Sequence, residues 1–346
     1  MRMPKLVVMV LTLVLLAGAR VALAQTDWSI EKQFHIGGEG RWDYLTLDPQ
    51  TSRLYVPRTT HTMVIDAASG KTIADIPGQK NAHGVAIVPE VGRGFISDGG
   101  NGSIVVFDLK TNATLGTIVA QPDADGIIFD HASGRVLVVS GDNGVLMSLK
   151  PDIDPKSGTI DASPIELGGA PEFLASDEAG KVYINLMDKN EVAVVDLAAK
   201  KVIARWPVAP GGAPVGMSID TEKHRLFIGC RKPQKLIVMS TDDGKVLASL
   251  PIGDTVDATK IDSGLVFASC RDGSLAVARE TSPGKFEIIQ TVKTGPGAAT
   301  MELDSKTHTI YLPTAEFEQP KPGTTGRAAM KPGTFTVLVV SRHSAQ

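Results

Sequence analysis

Short apolar runs recur along this chain at a nearly constant spacing. Seven times such a run ends at an aspartate or at a residue that takes its place, and the steps between these positions are 40, 42, 47, 43, 42 and 42 residues. The positions are Asp48, Val88, Asp130, Asp177, Asp220, Asp262 and Asp304. A period in the forties built from strand-like segments is typical of a β-propeller with one four-stranded blade per repeat. The pattern therefore predicts an all-β fold, a seven-bladed β-propeller.

Each repeat has the same internal order of predicted strands. In the first repeat, residues 42–47 form the inner strand, residues 54–56 the second strand and residues 72–76 the outer strand, with turn residues between them. These runs are rich in β-branched and aromatic residues, as strands are. The last repeat stops one strand short, at residues 335–340. We expect the N-terminal segment 28–35 to supply the missing strand and close the last blade, because an open ring would leave exposed strand edges.

The first 24 residues have the pattern of a secretory signal peptide. Arg2 and Lys5 precede an apolar run at residues 6–16, and the small residues Ala22 and Ala24 fit a cleavage site. We therefore predict a signal peptide at 1–24, a single propeller domain at 25–346, and a periplasmic or secreted protein. The alternative is an uncleaved anchor, but the apolar run is shorter than the roughly 20 residues that a spanning helix needs.

Net charge argues against nucleic acid as a partner. The whole chain has 35 basic and 38 acidic side chains, and removal of residues 1–24 leaves 32 basic and 38 acidic ones, a net charge of −6. Neutralising phosphates requires a basic face. The expected partner is instead a small molecule or a protein on the top face of the propeller, bound by a monomer with no stable membrane span.

Ionisable residues also recur in register with the repeat. The positions five residues before the seven run ends are Asp43, His83, Asp125, Glu172, Val215, Asp257 and Ala299. Propeller symmetry brings such positions together around one axis, at the start of the inner strands. One imidazole with several carboxylates suits Ca²⁺, Mg²⁺, Mn²⁺ or Zn²⁺. The sequence therefore predicts a divalent-cation site formed by Asp43, His83, Asp125, Glu172 and Asp257. The alternative is a hydrated polar channel without a ligand.

Other charged residues are expected near the same face. Arg231 and Arg271 follow matching strands of consecutive repeats and are predicted to hold an anionic ligand above the acidic ring; solvated loop charge is the alternative. Arg41 and Glu316 complete the predicted ligand-binding set. Glu316 begins a Pro- and Gly-rich segment that ends near Gly333, and this segment is either a lid or an insertion without a role.

The two cysteines, Cys230 and Cys270, occupy matching places in consecutive repeats. A protein exported from the cytosol can keep a disulfide bond. Neighbouring blades splay apart, however, and Cα atoms more than about 7 Å apart cannot be bridged. We predict two buried thiols, with a disulfide as the alternative.

Several segments resemble the YncE-type, YVTN-repeat propellers of bacterial periplasms. The resemblance covers the whole mature chain and depends on the sequences RWDYLTLD (41–48), RLYV (53–56), HGVAI (83–87), GAPEF (169–173), RWP (205–207) and YLPTAEF (311–317). It implies a seven-bladed periplasmic propeller. It implies no particular reaction, and the fourth repeat has INL (184–186) in place of the usual motif.

Two classes of function follow from these observations. The first is a non-catalytic protein that binds a small ligand, a metal or a partner at the mouth of the channel. The second is a metal-dependent enzyme similar to propeller lactonases or lyases, in which a bound cation would polarise a carbonyl group and His83, with Glu172 as the other candidate, would act as general acid or base. The sequence has no nucleophile elbow, phosphate loop or dinucleotide fingerprint.

Overall fold

The protein is described here by a computed structural model covering residues 28–156, 159–160, 163–319 and 328–342. Within these ranges it has twenty-seven strands and one 3₁₀ helix, Pro89–Val91, so the predicted all-β class is confirmed. The predicted signal peptide lies outside the described residues. No helix among the described residues is long and apolar enough to cross a membrane.

The strands form six antiparallel sheets, five with four strands and one with seven. The chain begins with β1 (Trp28–His35), which joins the last sheet. The seven-stranded sheet consists of β2 (Thr46–Asp48), β3 (Arg53–Pro57), β4 (Thr59–Asp66), β5 (Thr72–Val88), β6 (Arg93–Asp98), β7 (Ser103–Asp108) and β8 (Thr114–Val119).

Four further sheets follow in chain order. The first two consist of β9 (Ala124–Asp130), β10 (Arg135–Ser140), β11 (Val145–Leu149) and β12 (Ile165–Glu166), and of β13 (Pro171–Ser176), β14 (Lys181–Leu186), β15 (Glu191–Asp196) and β16 (Lys201–Pro207). The next two consist of β17 (Pro214–Asp220), β18 (Arg225–Arg231), β19 (Gln234–Ser240) and β20 (Val246–Pro251), and of β21 (Val256–Asp262), β22 (Leu265–Cys270), β23 (Ser274–Ser282) and β24 (Lys285–Lys293). The last sheet combines β25 (Glu302–Asp304), β26 (Thr309–Thr314) and β27 (Thr336–Arg342) with β1.

The seven-stranded sheet contains two repeats because β5 belongs to both. The first part of β5 pairs with β4, from Thr72 to Pro77, and its last part pairs with β6, from Val85 to Val88. Counted in this way, the six sheets divide into seven four-stranded units, one for each repeat of the sequence. A count of seven blades remains a prediction from the repeat.

The inner strands lie side by side in the order of the chain. Contacts join β2 to β5, β5 to β9, β9 to β13, β13 to β17, β17 to β21, β21 to β25, and β25 back to β2. Residues near the start of these strands therefore face a common centre. This arrangement brings together the ionisable residues that recur in register with the repeat.

The recurrent aspartates at the run ends form the turns after the inner strands. Asp48 Oδ1 accepts a hydrogen bond from Gln50 N at 2.9 Å, and Asp220 Oδ1 accepts one from Lys223 N at 3.0 Å. A carboxylate that bonds to the backbone two or three residues later stabilises a tight turn. Their periodicity thus arises from the turns, whereas the candidate site residues are the ones five positions earlier.

The N-terminal strand connects three parts of the molecule. β1 pairs with β27 from Trp28 opposite Arg342 to His35 opposite Thr336. Trp28 is buried and meets the ring of Phe267, on β22, edge to face at 4.7 Å. At the other end Phe34 lies against Gly70, in the turn between β4 and β5, where a Cβ atom would come within 2.2 Å of the phenyl ring.

The two cysteines are separate buried thiols, as predicted. Cys230 packs among residues of β14 and β18, including Tyr183 and Ile228, whereas Cys270 packs among β19 and β22, including Leu236. Burial raises the pKa of both thiols to about 12. Neither thiol is therefore ionised at neutral pH, and thiolate is the reactive form.

We expect a thiol reagent to leave the folded protein almost unmodified and to modify two thiols per chain after unfolding in denaturant without reductant. Mass spectrometry after alkylation measures both states. A chain that shows no reactive thiol when unfolded would contradict the separate positions of the two cysteines.

Candidate functional site

A polar cavity of about 230 Å³ lies where the inner strands begin. Eight of the nine predicted ligand-binding residues line it, namely Arg41 and the seven named next, and only Glu316 does not. The seven are Asp43, His83, Asp125, Glu172, Arg231, Asp257 and Arg271. The residues of the two repeats without an ionisable group, Val215 and Ala299, line it as well. Equivalent positions of the repeat therefore meet at one cavity.

His83 is the centre of the acidic side of the cavity. Its Nδ1 lies 2.7 Å from Asp43 Oδ2 and 3.4 Å from Asp125 Oδ1. Hydrogen bonds to backbone oxygens hold the neighbouring segments around it, since Tyr44 N donates to His83 O and the Thr300 hydroxyl donates to Asp43 O, both at 3.0 Å. One donor atom from each of His83, Asp43 and Asp125 lies within 4.8 Å of the other two.

Two residues that the sequence pattern did not indicate lie beside the other ring nitrogen. The side-chain amide of Asn81 is 2.8 Å from His83 Nε2, and Asp123 Oδ1 is 3.9 Å from it. Gly99 permits this approach, because a Cβ atom there would lie 2.9 Å from His83 Nε2 and 3.0 Å from Asp123 Oδ1. Both residues stand two positions before a ring residue, and that shared offset is the only sequence signal for them.

The close spacing of these groups alters their pKa values. Burial by itself would lower the pKa of His83, but the hydrogen bond with Asp43 and the charges of Asp125 and Asp123 outweigh it and raise that pKa to about 9. Burial, together with the charges of Asp43 and Glu172, raises the pKa of Asp125. Without a cation, His83 is therefore protonated at neutral pH and partly offsets the repulsion between the carboxylates.

Asp257 is held by two arginine side chains. Its Oδ2 accepts a hydrogen bond from Arg271 Nη2 at 2.6 Å, and its Oδ1 accepts one from Arg231 Nη2. A carboxylate held by two guanidinium groups has its charge already compensated. Among the described residues, the close donor group around His83 includes Asp43 and Asp125 only; Asp257 pairs with arginine, and Glu172 lies in the cavity outside the group.

Glu172 and an aromatic pair complete the inner part of the cavity. Burial raises the pKa of Glu172. The positive charge of Arg231 opposes this shift, and the negative charge of Asp43 adds to it. Beneath these groups Tyr44 stacks on Phe173, with ring centroids 4.4 Å apart, and its hydroxyl donates to the backbone oxygen of Asp257. Tyr44 lines both this cavity and a second one lined by the later residues of β2, β5 and β9. The stacked rings therefore form a floor between the two cavities.

The outer rim is formed by Arg41 and Trp42 together with Phe317 and Met330, two described residues of the segment after β26. Phe317 and Met330 pair as an isolated β-bridge and line the cavity. Glu316 faces an adjoining pocket instead, where Lys331 Nζ lies 3.0 Å from its Oε2. Glu316, which the sequence grouped with the predicted ligand-binding residues, therefore has a lysine partner and lies outside the inner cavity.

Arg58 supports this rim from below. Its guanidinium donates to Gly40 O at 2.9 Å and to Gly37 O at 3.2 Å, and it lies 3.7 Å from the centre of the Phe335 ring. The side chain is fully buried, and burial lowers its pKa to about 10. Arg58 thus holds the backbone that leads into Arg41 and Trp42.

No protein-family model matches the chain, and no curated protein matches it. Among solved structures, it is similar to a chain of Kuenenia stuttgartiensis hydrazine synthase, with a TM-score of 0.69 and 12% sequence identity over 80% of this chain and 94% of that chain. At this level of identity the similarity shows the fold alone. With the sheets described above, it shows that the fold is a β-propeller.

Proposed function

We propose that this propeller is a non-catalytic binding protein that holds a divalent cation in its central cavity through Asp43, His83 and Asp125. The observation that supports the proposal most directly is the spacing of the three donor atoms, which lie within 4.8 Å of one another. One imidazole nitrogen and two carboxylate oxygens form a donor set that suits Zn²⁺ and Mn²⁺ better than Ca²⁺, which prefers oxygen ligands alone.

The surroundings of His83 also favour a cation. A metal-binding histidine usually gives its second ring N–H to a carboxylate or carbonyl oxygen, which fixes the ring in one orientation. Asn81 and Asp123 stand beside Nε2 while Nδ1 faces Asp43 and Asp125. The ring therefore presents Nδ1 to the proposed ligands, and on the Nε2 side the amide nitrogen of Asn81 lies at 2.8 Å and the carboxylate of Asp123 at 3.9 Å.

The wider setting is part of the same proposal. The pattern of residues 1–24 supports export to the periplasm, and the segments that resemble YncE-type propellers support membership of that group of periplasmic proteins. The floor formed by Tyr44 and Phe173 supports binding from the rim side, where Arg41 and Phe317 border the cavity.

Calorimetry of the metal-free protein tests the proposal. We expect Zn²⁺ and Mn²⁺ to raise the melting temperature and Mg²⁺ and Ca²⁺ to do so less, because the cation binds only the folded state. At a free cation concentration about a hundredfold above Kd the stabilisation is about 2.7 kcal/mol. If none of the four cations binds or shifts melting, the central cavity is not a cation site.

A further inference from the structure

The second cavity, on the other side of the floor formed by Tyr44 and Phe173, has a volume of about 400 Å³. Small-molecule sites usually have volumes of about 300–1,000 Å³ and mostly apolar walls with a few polar groups. Ile128 and Phe129, on β9, line the second cavity together with the two rings of the floor. At the turns that follow the inner strands it is bordered by the exposed residues Gln50, Glu90 and His131.

One ion pair lies in the wall of the second cavity. Lys260 Nζ, on β21, lies 2.8 Å from Glu302 Oε1, on the neighbouring inner strand β25. Both residues stand two positions before the run ends of their repeats. The other five repeats have uncharged residues at this position, namely Thr46, Ala86, Ile128, Ala175 and Ser218. The pair is therefore particular to these two repeats and is not a property of the repeating pattern.

The protein leaves hydrogen-bonding capacity on both partners of this pair. The Lys260 ammonium has three donors, and Glu302 Oε1 is its only acceptor among the described residues. Glu302 Oε1 also accepts a hydrogen bond from Leu303 N at 2.8 Å, whereas Oε2 has no donor in the described part of the chain. The Lys260 side chain is 28% exposed and that of Glu302 13%, and both line the cavity. A ligand in the cavity can therefore contact both groups.

The charge of the pair indicates the kind of ligand that fits. Lys260 and Glu302 together carry no net charge, so a ligand with a single charge would leave a charge uncompensated beside an apolar wall, which is costly. A zwitterion offers a carboxylate to Lys260 and an ammonium group to Glu302 and adds no net charge. Hydrogen bonds that involve ionised groups are also roughly twice as strong as those between neutral groups. A zwitterion therefore fits better than a neutral amide.

We infer that the second cavity binds an apolar α-amino acid, whose carboxylate contacts Lys260, whose ammonium group contacts Glu302 and whose side chain packs against the rings of Tyr44 and Phe173. The site lies across the floor from the proposed cation site and does not depend on it. An aromatic side chain suits the stacked rings, because ring pairs contribute beyond the burial of their area. L-Phenylalanine is therefore the probe.

Isothermal titration compares L-phenylalanine with three analogues, each lacking one of its features, in the presence of a chelator that keeps the proposed cation site empty. Glycine lacks the apolar side chain, 3-phenylpropanoate lacks the ammonium group, and 2-phenylethylamine lacks the carboxylate. We expect each analogue to bind the wild type more weakly than phenylalanine, by about tenfold or more. An analogue that binds as tightly as phenylalanine would overturn the assignment of an amino acid to this cavity.

Glu302→Gln is the informative variant. It keeps an amide oxygen as acceptor for Leu303 N and for Lys260 but removes the charge that binds the ammonium group of the ligand. Phenylalanine should bind this variant about ten- to a hundredfold more weakly, whereas the affinity for 3-phenylpropanoate should stay equal or rise because Lys260 loses its counter-charge. A merely structural role of Glu302 would lower both affinities together.

Glu287→Gln is the matched control. Glu287 forms a similar pair with Lys285, at 2.6 Å, and both of these side chains are exposed, so the control should change neither affinity. Thermal melting shows whether Glu302→Gln folds. If it does not, Lys260→Met is titrated in its place, and it should lose affinity for phenylalanine but not for 2-phenylethylamine.

Two results would overturn the inference. One is that L-phenylalanine does not bind the wild type, and the other is that it binds Glu302→Gln, or Lys260→Met in its place, as tightly as the wild type. Neither result bears on the proposed cation site, which the calorimetry with cations tests separately.

Discussion

A chain that begins at Ile36 rather than at Trp28 is expected not to fold stably. The loss of Trp28 alone removes a buried indole, and removal of such a side chain costs about 3–5 kcal/mol. Deletion also exposes the edge of β27, where Val337, Leu338 and Val340 are buried. Because whole domains are stable by only about 5–15 kcal/mol, these losses together are comparable with the total stability.

The connections that β1 makes explain why the effect should exceed that of an ordinary edge strand. Trp28 exchanges two backbone hydrogen bonds with the Gln290 side chain of β24, at 2.9 and 2.8 Å, while Phe34 lies against the turn at Gly70. One strand thus joins the sheet of β24, the last sheet and the first repeat.

Circular dichroism and thermal melting of the two chains measure the effect. The matched control begins at Trp28 and keeps the whole of β1, and Trp28→Ala in that chain should lower its stability by a few kcal/mol without preventing folding. A chain beginning at Ile36 that melts at the same temperature as the control would show that the fold does not depend on this strand.

Asp125→Asn is expected to abolish most of the cation-induced rise in melting temperature. The substitution keeps the shape of the side chain but removes one of the two carboxylates that face His83 Nδ1. The metal-free variant should be as stable as the wild type or more so, because burial and the neighbouring charges of Asp43 and Glu172 already raise the pKa of Asp125 and so disfavour its ionised form. Loss of the cation effect without loss of stability distinguishes a ligand from a structural residue.

Asp142→Asn is the matched control for this experiment. Asp142 is an exposed carboxylate in the turn after β10, in the sheet that begins with the strand of Asp125. The control should keep the full cation response, and Glu172→Ala should keep more of it than Asp125→Asn, because Glu172 lies outside the close group. Calorimetry of all four proteins with and without Mn²⁺ decides the matter; an undiminished response in Asp125→Asn would place the cation elsewhere.

The sequence by itself was sufficient for the class of fold, and the register of its repeat indicated which residues lie together at the start of the inner strands. The run ends at Asp48, Asp130 and Asp220 repeat because each inner strand is followed by a tight turn that a carboxylate stabilises. A repeat of this kind places equivalent residues at equivalent points of every sheet. The segment 28–35 was identifiable as a strand without a partner in its own repeat, and it coincides with β1.

Which of the cavity residues interact was decided only by the tertiary structure. The repeat places Asp43, Asp125 and Asp257 in one register, but it carries no information about distances across the centre or about side chains that enter from other loops. Arginine side chains are long enough to reach across from the ends of β18 and β22, so Arg231 and Arg271 pair with Asp257 and remove it from the acidic group. Asp123 comes beside His83 from the segment just before β9, whereas Asn81 lies two residues before His83 on β5 itself. Contacts between separate strands depend on how the sheets pack, which a spacing along one chain does not specify.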